Sequence, residues 1–405
     1  MNLLIIGGGG REHALAWKLS QSSLLDRVYA CPGNPGIAEL GTCVPLTDTD
    51  IDGFVRLAEE VSAGLTVVGP EGPLVNGIVD AFRARNLPIV GPPAAAALIE
   101  GSKAFAKEIM ARAGVPTARH HTSHDAAEAA RALDMFGFPL VIKADGLAAG
   151  KGVVVVEDRA TALEALATLP PGLFIVEEFL SGEEVSFIVF VNGERVIPLA
   201  PTQDHKRVRD NDTGPNTGGM GAYCDRRILN RDQVEQILRL VIHPILETLR
   251  ADGTPFTGFL YAGLMLTSEG PKVLEFNARL GDPETQALMM TMESDFAGTL
   301  LEGETPRWKP GAAVCVVLAA SGYPGAVRTG DVITGIEDCG ETVFHAGTRL
   351  TGRGVETAGG RVLGVTARGE SLQQAIDKAY AAVAHIRFDD MHYRRDIGRK
   401  GLARW

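Results

Sequence analysis

Residues 274 to 286, LEFNARLGDPETQ, place Glu275, Asn277 and Arg279 at every second position of a run that reads as a buried strand. Alternate side chains of a strand share a face, so a carboxylate, an amide oxygen and a guanidinium are expected on one surface. Hard divalent cations take oxygen ligands, and magnesium is usually held by one or two protein oxygens plus substrate phosphates and water. Glu275 and Asn277 are such oxygens. Arg279 could stabilise a phosphoryl group in transfer or clamp a carboxylate. A salt bridge inside the sheet is the plain alternative.

Further cationic and glycine-rich stretches point to phosphate. FPLVIKADGLAAGKGVVVVED carries Lys143 on a strand, then a loop with Gly146, Gly150, Lys151 and Gly152, then a second strand. Small residues let backbone N–H groups approach phosphate oxygens, and lysines neutralise their charge. The spacing is not that of a Walker loop; a bare hairpin turn is the alternative. In GSKAFAKEIMARAG, Lys103 opens a helix, where a cation opposes the helix dipole and a bound phosphate would repair the mismatch. In FIVEEFLSGEEVSF a strand ends near Glu177 and Glu178, turns at Ser181-Gly182 and resumes at Glu183. Backbone groups of Glu178 and Leu180 could hold a purine, and Glu184 could accept from ribose hydroxyls; a hairpin with solvated glutamates is the alternative. The polar stretch QDHKRVRDNDTGPNTGGMGAY has the look of a functional loop.

The elements that must position these residues follow an alternating plan. Asn2 to Ile6, RVYA, LTVVG and LPIVG read as strands, separated by the helical run REHALAWKLS, a helix from about Asp50 to Ala63, and a further helix before residue 87. Such alternation predicts a doubly wound α/β domain with ligands at the carboxyl ends of its strands. The loops there are Gly7 to Glu12, Gly33 to Gly36 and Gly69 to Pro73. The first offers a helix N-terminus to a phosphate. It lacks the third glycine of a dinucleotide fingerprint, since Glu12 or His13 fills that slot, which argues against an oxidoreductase.

The chain's 405 residues suffice for two to four domains. Its net charge of −11 argues against a nucleic-acid or general polyanion binder. The five cysteines are scattered without a CxxC pair and read as free thiols of a reducing compartment. The N-terminal apolar run is only a few residues long, so neither a signal peptide nor a membrane span is expected, and the cytoplasm is the expected location.

GGGGREHA, GNPG, GPEGPL, GSKAFAK, KADGLAAGKGV, VEEFLSGEEVSF, DHKR, DTGPNTGGMGAY, TGFLYAGLM and EFNARLGDPETQ occur here in that order. Together they closely resemble the phosphoribosylamine–glycine ligase (glycinamide ribonucleotide synthetase) family of the ATP-grasp superfamily. The resemblance extends through SGYPG, GDVITG, FHAGT and GGRVLGVTA, nearly the whole chain. It implies a mixed α/β and α+β multidomain fold. The pieces are an N-terminal doubly wound α/β substrate domain (1–100), an ATP-grasp domain (101–309, lid about 119–183) and a small C-terminal α/β domain (310–405). It implies ligation of glycine to 5-phosphoribosylamine with ATP as substrate and Mg²⁺ or Mn²⁺ as cofactor, through a glycyl phosphate, in purine biosynthesis.

By position, the resemblance gives Lys103 and Lys143 to the α- and β-phosphates, and the loop Gly146, Gly150, Lys151, Gly152 to closure over the triphosphate. It gives Glu177, Glu178 and Leu180 to adenine, Glu184 to ribose, Glu275 and Asn277 to the metal, and Arg279 to the phosphoryl group or the glycine carboxylate. Asp212 would meet the glycine amine. Gly9, Gly10, Asn34, Gly36 and Glu71 would meet phosphoribosylamine. The strand YAGLM lacks the extra acidic ligand that many ATP-grasp enzymes carry, so a tight two-metal site is not expected in the free protein. A monomer is expected, with a dimer as the alternative. The rivals are an ATP-grasp ligase for another carboxylate and a nucleotide-binding regulatory protein.

Overall fold

The computed structural model describes residues 1–147 and 152–404. In the first hundred residues, Asn2–Gly7 lies between two parallel neighbours, Arg27–Pro32 and Ala63–Val68, with Thr42–Cys43 at the outer edge. Leu3 to Ile6 are fully buried, as a strand covered by helices on both faces requires. LPIVG departs from expectation. It forms one bridge, Val67 to Val90, and not a strand. Pro88 has no N–H to give a ladder, and Gly91-Pro92-Pro93 follow at once.

A second sheet, antiparallel, holds His120–Ser123, Phe174–Glu178, Leu140–Ala144 and Val153–Val156 in that order. Helices Ala126–Ala132 and Arg159–Thr168 close its core around Leu140, Ile142, Phe174 and Val176.

The third sheet is the largest. Its path runs through Gly270–Asn277, Gly258–Thr267, Glu183–Asn192, Thr202–Asp204, Gly221–Asp225, Ala312–Ala319, Arg361–Gly369 and Thr342–His345. The strands before and after residue 310 therefore share one sheet. Between Glu178 and Glu183 the chain leaves the second sheet and enters the third, so the hairpin alternative for that stretch does not occur. The cleft opens where these two sheets face each other.

The polar stretch from Gln203 to Tyr223 is ordered. Arg207–Arg209 pairs with Thr213–Asn216, and Arg207 donates to the Gly214 carbonyl at 2.7 Å.

Candidate active site

Three buried charges form one wall of the cleft. Glu177, on Phe174–Glu178, is 2% exposed and lies 2.8 Å from Lys107 Nζ and 2.9 Å from Lys143 Nζ. Burial opposes its charge, but the two ammoniums outweigh burial and hold the carboxyl below its ordinary value. Lys143 also donates to the Leu274 carbonyl at 2.8 Å, so it links the second sheet to the strand carrying Glu275. Lys107 sits four residues after Lys103 on the helix Lys103–Ala113, one turn along the same face, and donates to Thr117 Oγ1 at 2.8 Å.

Ser102 caps that helix by accepting from the Phe105 N–H. The dipole mismatch expected at Lys103 is answered within the chain. Asp145 accepts from Ser102 Oγ and the Ala104 N–H at the helix start, and Lys103 reaches the Gly146 carbonyl at 2.7 Å. Lys103, Lys107, Lys143, Gly146 and Gly152 all line the cleft. Gly150 and Lys151 lie outside the described residues.

The opposite wall is the strand Gly270–Asn277 and the turn after it. Glu275 and Asn277 share a face as the period of two requires, and both line the cleft with Arg279. Arg279 lies just beyond the strand and touches Asn277 Oδ1 at 3.3 Å, Glu100 at 2.8 Å and Glu71 at 3.2 Å. Glu100, on the helix Ala94–Gly101, also accepts from the Ala278 N–H at 2.7 Å. Burial pushes its carboxyl up to about 7 in spite of Arg279. Glu275 goes the other way. Lys206, 3.1 Å away, pulls its carboxyl down to about 2 against burial, so it is ionised at neutral pH. An ionised carboxylate and an amide oxygen two residues apart fit a hard divalent cation that completes its shell with phosphate and water.

The N-terminal loop differs from expectation in an instructive way. The anion at the start of helix Gly10–Leu19 is the chain's own Glu12, which accepts from the Gly9 N–H and from Arg11, each at 2.6 Å. Its side chain lies so close to the loops that a Cβ at Gly69 would stand 1.8 Å from Oε1 and one at Gly7 would stand 2.7 Å from Cγ. These glycines make room for Glu12, whose carboxylate takes the Gly9 N–H. Asn34 is likewise engaged. Its carbonyl caps a short helix at the Ile37 N–H, and its amide donates to the Gly8 and His345 carbonyls. Gly36 lies against His13, where a Cβ would fall 2.1 Å from Cε1, and Gly10 lies against Gln286.

Three family models divide the chain between them. The phosphoribosylglycinamide synthetase N domain matches residues 1–100, the ATP-grasp (A) domain 101–285 and the C domain 313–400. The chain belongs to the phosphoribosylglycinamide synthetase family. The phosphoribosylamine–glycine ligase of Yersinia pestis is 49% identical, with 100% of both chains covered. That of Escherichia coli K12 is 47% identical, covering 100% of this chain and 99% of the relative. The crystal structure of the Thermotoga maritima phosphoribosylamine–glycine ligase superposes with a TM-score of 0.86 at 34% identity, over 98% of this chain and 100% of that one. An ADP complex of N5-carboxyaminoimidazole ribonucleotide synthetase shares the fold, with a TM-score of 0.66 at 16% identity over 94% of this chain and 96% of that one.

Within this family member, the cleft brings together Glu71, Lys103, Lys143, Gly146, Gly152, Glu177, Glu275, Asn277 and Arg279 of the residues expected from sequence. Glu178, Leu180 and Glu184 stand outside its lining, as do Gly9, Gly10, Asn34, Gly36 and Asp212. At the residues expected to line adenine, the side chains are engaged within the chain. The Glu177 carboxylate is taken by the two lysines, and the Glu178 N–H is taken by the Arg119 carbonyl while its carboxylate grips Arg119. Asp212 is 59% exposed and pairs with Arg394 of the C-terminal segment at 2.7 Å. Glu184 is tied to the site through Lys206, at 2.6 Å. Sequence reasoning missed Lys107, Glu100 and Lys206. The spacing of Lys103 and Lys107 in GSKAFAK could have found the first.

Proposed function

We propose that the chain ligates glycine to 5-phosphoribosylamine at the expense of ATP, giving glycinamide ribonucleotide, ADP and phosphate in purine biosynthesis. The observation that carries this reading is full-length identity of 47 to 49% to phosphoribosylamine–glycine ligases. The cleft supports it, because its cations and metal-type oxygens suit phosphoryl transfer, a reaction governed by position and charge more than by a protein nucleophile.

Lys103 and Lys143 hold the α- and β-phosphates, and the loop from Gly146 to Gly152 covers the triphosphate. Glu177 holds Lys107 and Lys143 in place. Glu184 accepts from the ribose, and the backbone near Leu180 edges the adenine. Glu275 and Asn277 would hold Mg²⁺ or Mn²⁺, which when bound draws charge from the phosphate oxygens. The glycine carboxylate attacks the γ-phosphorus and ADP leaves, giving glycyl phosphate. The amine of phosphoribosylamine attacks its carbonyl carbon, phosphate leaves with the acyl–oxygen bond, and the amine loses a proton. Arg279, held between Glu71 and Glu100, faces the transferring group or the glycine carboxylate. Gly9, Gly10, Asn34, Gly36 and Glu71 meet phosphoribosylamine, and of these Glu71 lines the cleft.

Domain limits near residues 100 and 310, a lid over about 119–183, a monomeric state and a cytoplasmic location belong to the same reading. No helix among the described residues is long and apolar enough to cross a membrane. The test is phosphate release from ATP with each co-substrate omitted in turn. Release that needs both glycine and phosphoribosylamine, with glycinamide ribonucleotide seen by mass, is expected. Release driven by a different carboxylate, or none despite ATP binding, refutes the assignment.

A further inference from the structure

We infer that Lys206 is a resident counter-ion for the metal carboxylate, so that a divalent cation reaches Glu275 only as the Lys206 ammonium gives way. The inference rests on the reading of Glu275 and Asn277 as metal ligands and adds a control to it. Lys206 Nζ lies 2.6 Å from Glu184 Oε1 and 3.1 Å from Glu275 Oε1. One ammonium thus joins the residue proposed for ribose to the residue proposed for metal.

The fold arranges this contact across a strand. Glu184 and Glu275 stand on Glu183–Asn192 and Gly270–Asn277, with Gly258–Thr267 between them. Gly263, the partner of Glu275 on that middle strand, has no side chain, and a Cβ there would come within 3.2 Å of Glu275 Cγ. The backbone of Lys206 is fixed, since its carbonyl accepts from both the N–H and the hydroxyl of Thr217, each at 2.8 Å. A lysine carries its point charge on a flexible four-carbon stem, which suits a charge that must move. The three side chains are 29%, 31% and 37% exposed for Lys206, Glu184 and Glu275. Exchange with a solvated ion therefore needs no opening of the core.

The electrostatics set the order of events. Without Lys206, two carboxylates would face each other with no cation between them. With it, an arriving divalent ion meets a positive charge on the oxygen it must bind. A polyphosphate changes the balance by offering Lys206 another anion, so nucleotide and metal favour each other, and that coupling is reciprocal. Lys206 acts here as a positioning residue.

The test uses Mn²⁺ and the nucleotide-free full chain, with free ion read by electron paramagnetic resonance. Lys206→Met and Lys206→Gln are expected to bind Mn²⁺ about tenfold tighter or more than the parent chain. Glu275→Gln should erase that gain in the double variant. Circular dichroism checks that each variant is folded, and Lys206→Gln serves if Lys206→Met is not. Mn²⁺ affinity no higher in either lysine variant, with Glu275→Gln still weakening Mn²⁺·ADP binding, overturns the counter-ion role and leaves the metal reading standing. Mn²⁺·ADP binding unchanged in both Glu275→Gln and Asn277→Leu removes the metal reading and this inference with it.

Discussion

The Lys107–Glu177–Lys143 cluster offers the sharpest test of how the cleft is held. Glu177→Gln turns a buried group of net charge +1 into one of +2. Each ammonium–carboxylate contact, at 2.8 and 2.9 Å, amounts to about 6 kcal/mol of bare attraction at an effective dielectric of about 20. Desolvation of the ions takes back several kcal/mol of that, and breaking a buried pair by removing one partner typically destabilises by about 3–5 kcal/mol. A ceiling exists. An amine of ordinary pKa 10.5 sheds its proton at pH 7 for about 5 kcal/mol, and burial already lowers the value for Lys107. The expected loss is therefore about 3–4 kcal/mol, local to the second sheet. The assay is native-state hydrogen exchange of the amides in Phe174–Glu178. Adding Lys107→Met should recover about half of the loss, because one of the two unpaired charges has gone. A non-hydrolysable ATP analogue should narrow the gap as well, since a triphosphate supplies the missing anion. Protection within about 0.5 kcal/mol of the parent chain, unaffected by Lys107→Met, would refute the reasoning.

Other perturbations probe separate parts of the site. Lys143→Met should raise the Kd for ATP by about tenfold or more through loss of a charge-assisted contact; unchanged affinity in a calorimetric titration would reduce the loop to a mere turn. Glu12→Ala leaves the buried Arg11 without its carboxylate and the Gly9 N–H without its acceptor, and should destabilise the chain by about 2–4 kcal/mol in urea unfolding. Glu100, held up near 7 by burial, keeps its proton in the folded state after the unfolded chain has lost it. Its contribution is thus greatest below its ordinary value of 4.5 and is lost as pH rises towards 7. Glu100→Gln should flatten the stability–pH curve in that window, and a difference between the two chains that does not vary with pH there would contradict the assignment.

Some of this was legible in the sequence for a simple reason. Glu275 and Asn277 were placed by a period of two, and Lys143 by the paired strands on either side of its turn, and both are local features. Lys206 was not legible. It meets Glu184 and Glu275 only because strands far apart in sequence lie side by side. GGGGREHA was legible in part: the glycines signal an anion at a helix start, and the chain's own Glu12 stands there. Glu12, three residues after Gly9, accepts from the Gly9 N–H as the acid of a capping box would, and that spacing carried the clue. The hairpin alternative at Glu177 to Glu183 could not be judged locally, because a chain that changes sheets turns much like one that folds back.

The continuity of the large sheet reaches beyond the cleft. Ala312–Ala319 is paired on one side with Gly221–Asp225 and on the other with Arg361–Gly369. A chain ending at residue 310 would strip Gly221–Asp225 of that partner and leave a raw row of N–H and C=O groups, an invitation to edge-to-edge aggregation. The stretches matched as separate domains meet at a joint in the sequence that is not a seam in the fold, and the ATP-grasp part and the C-terminal part should melt as one cooperative body.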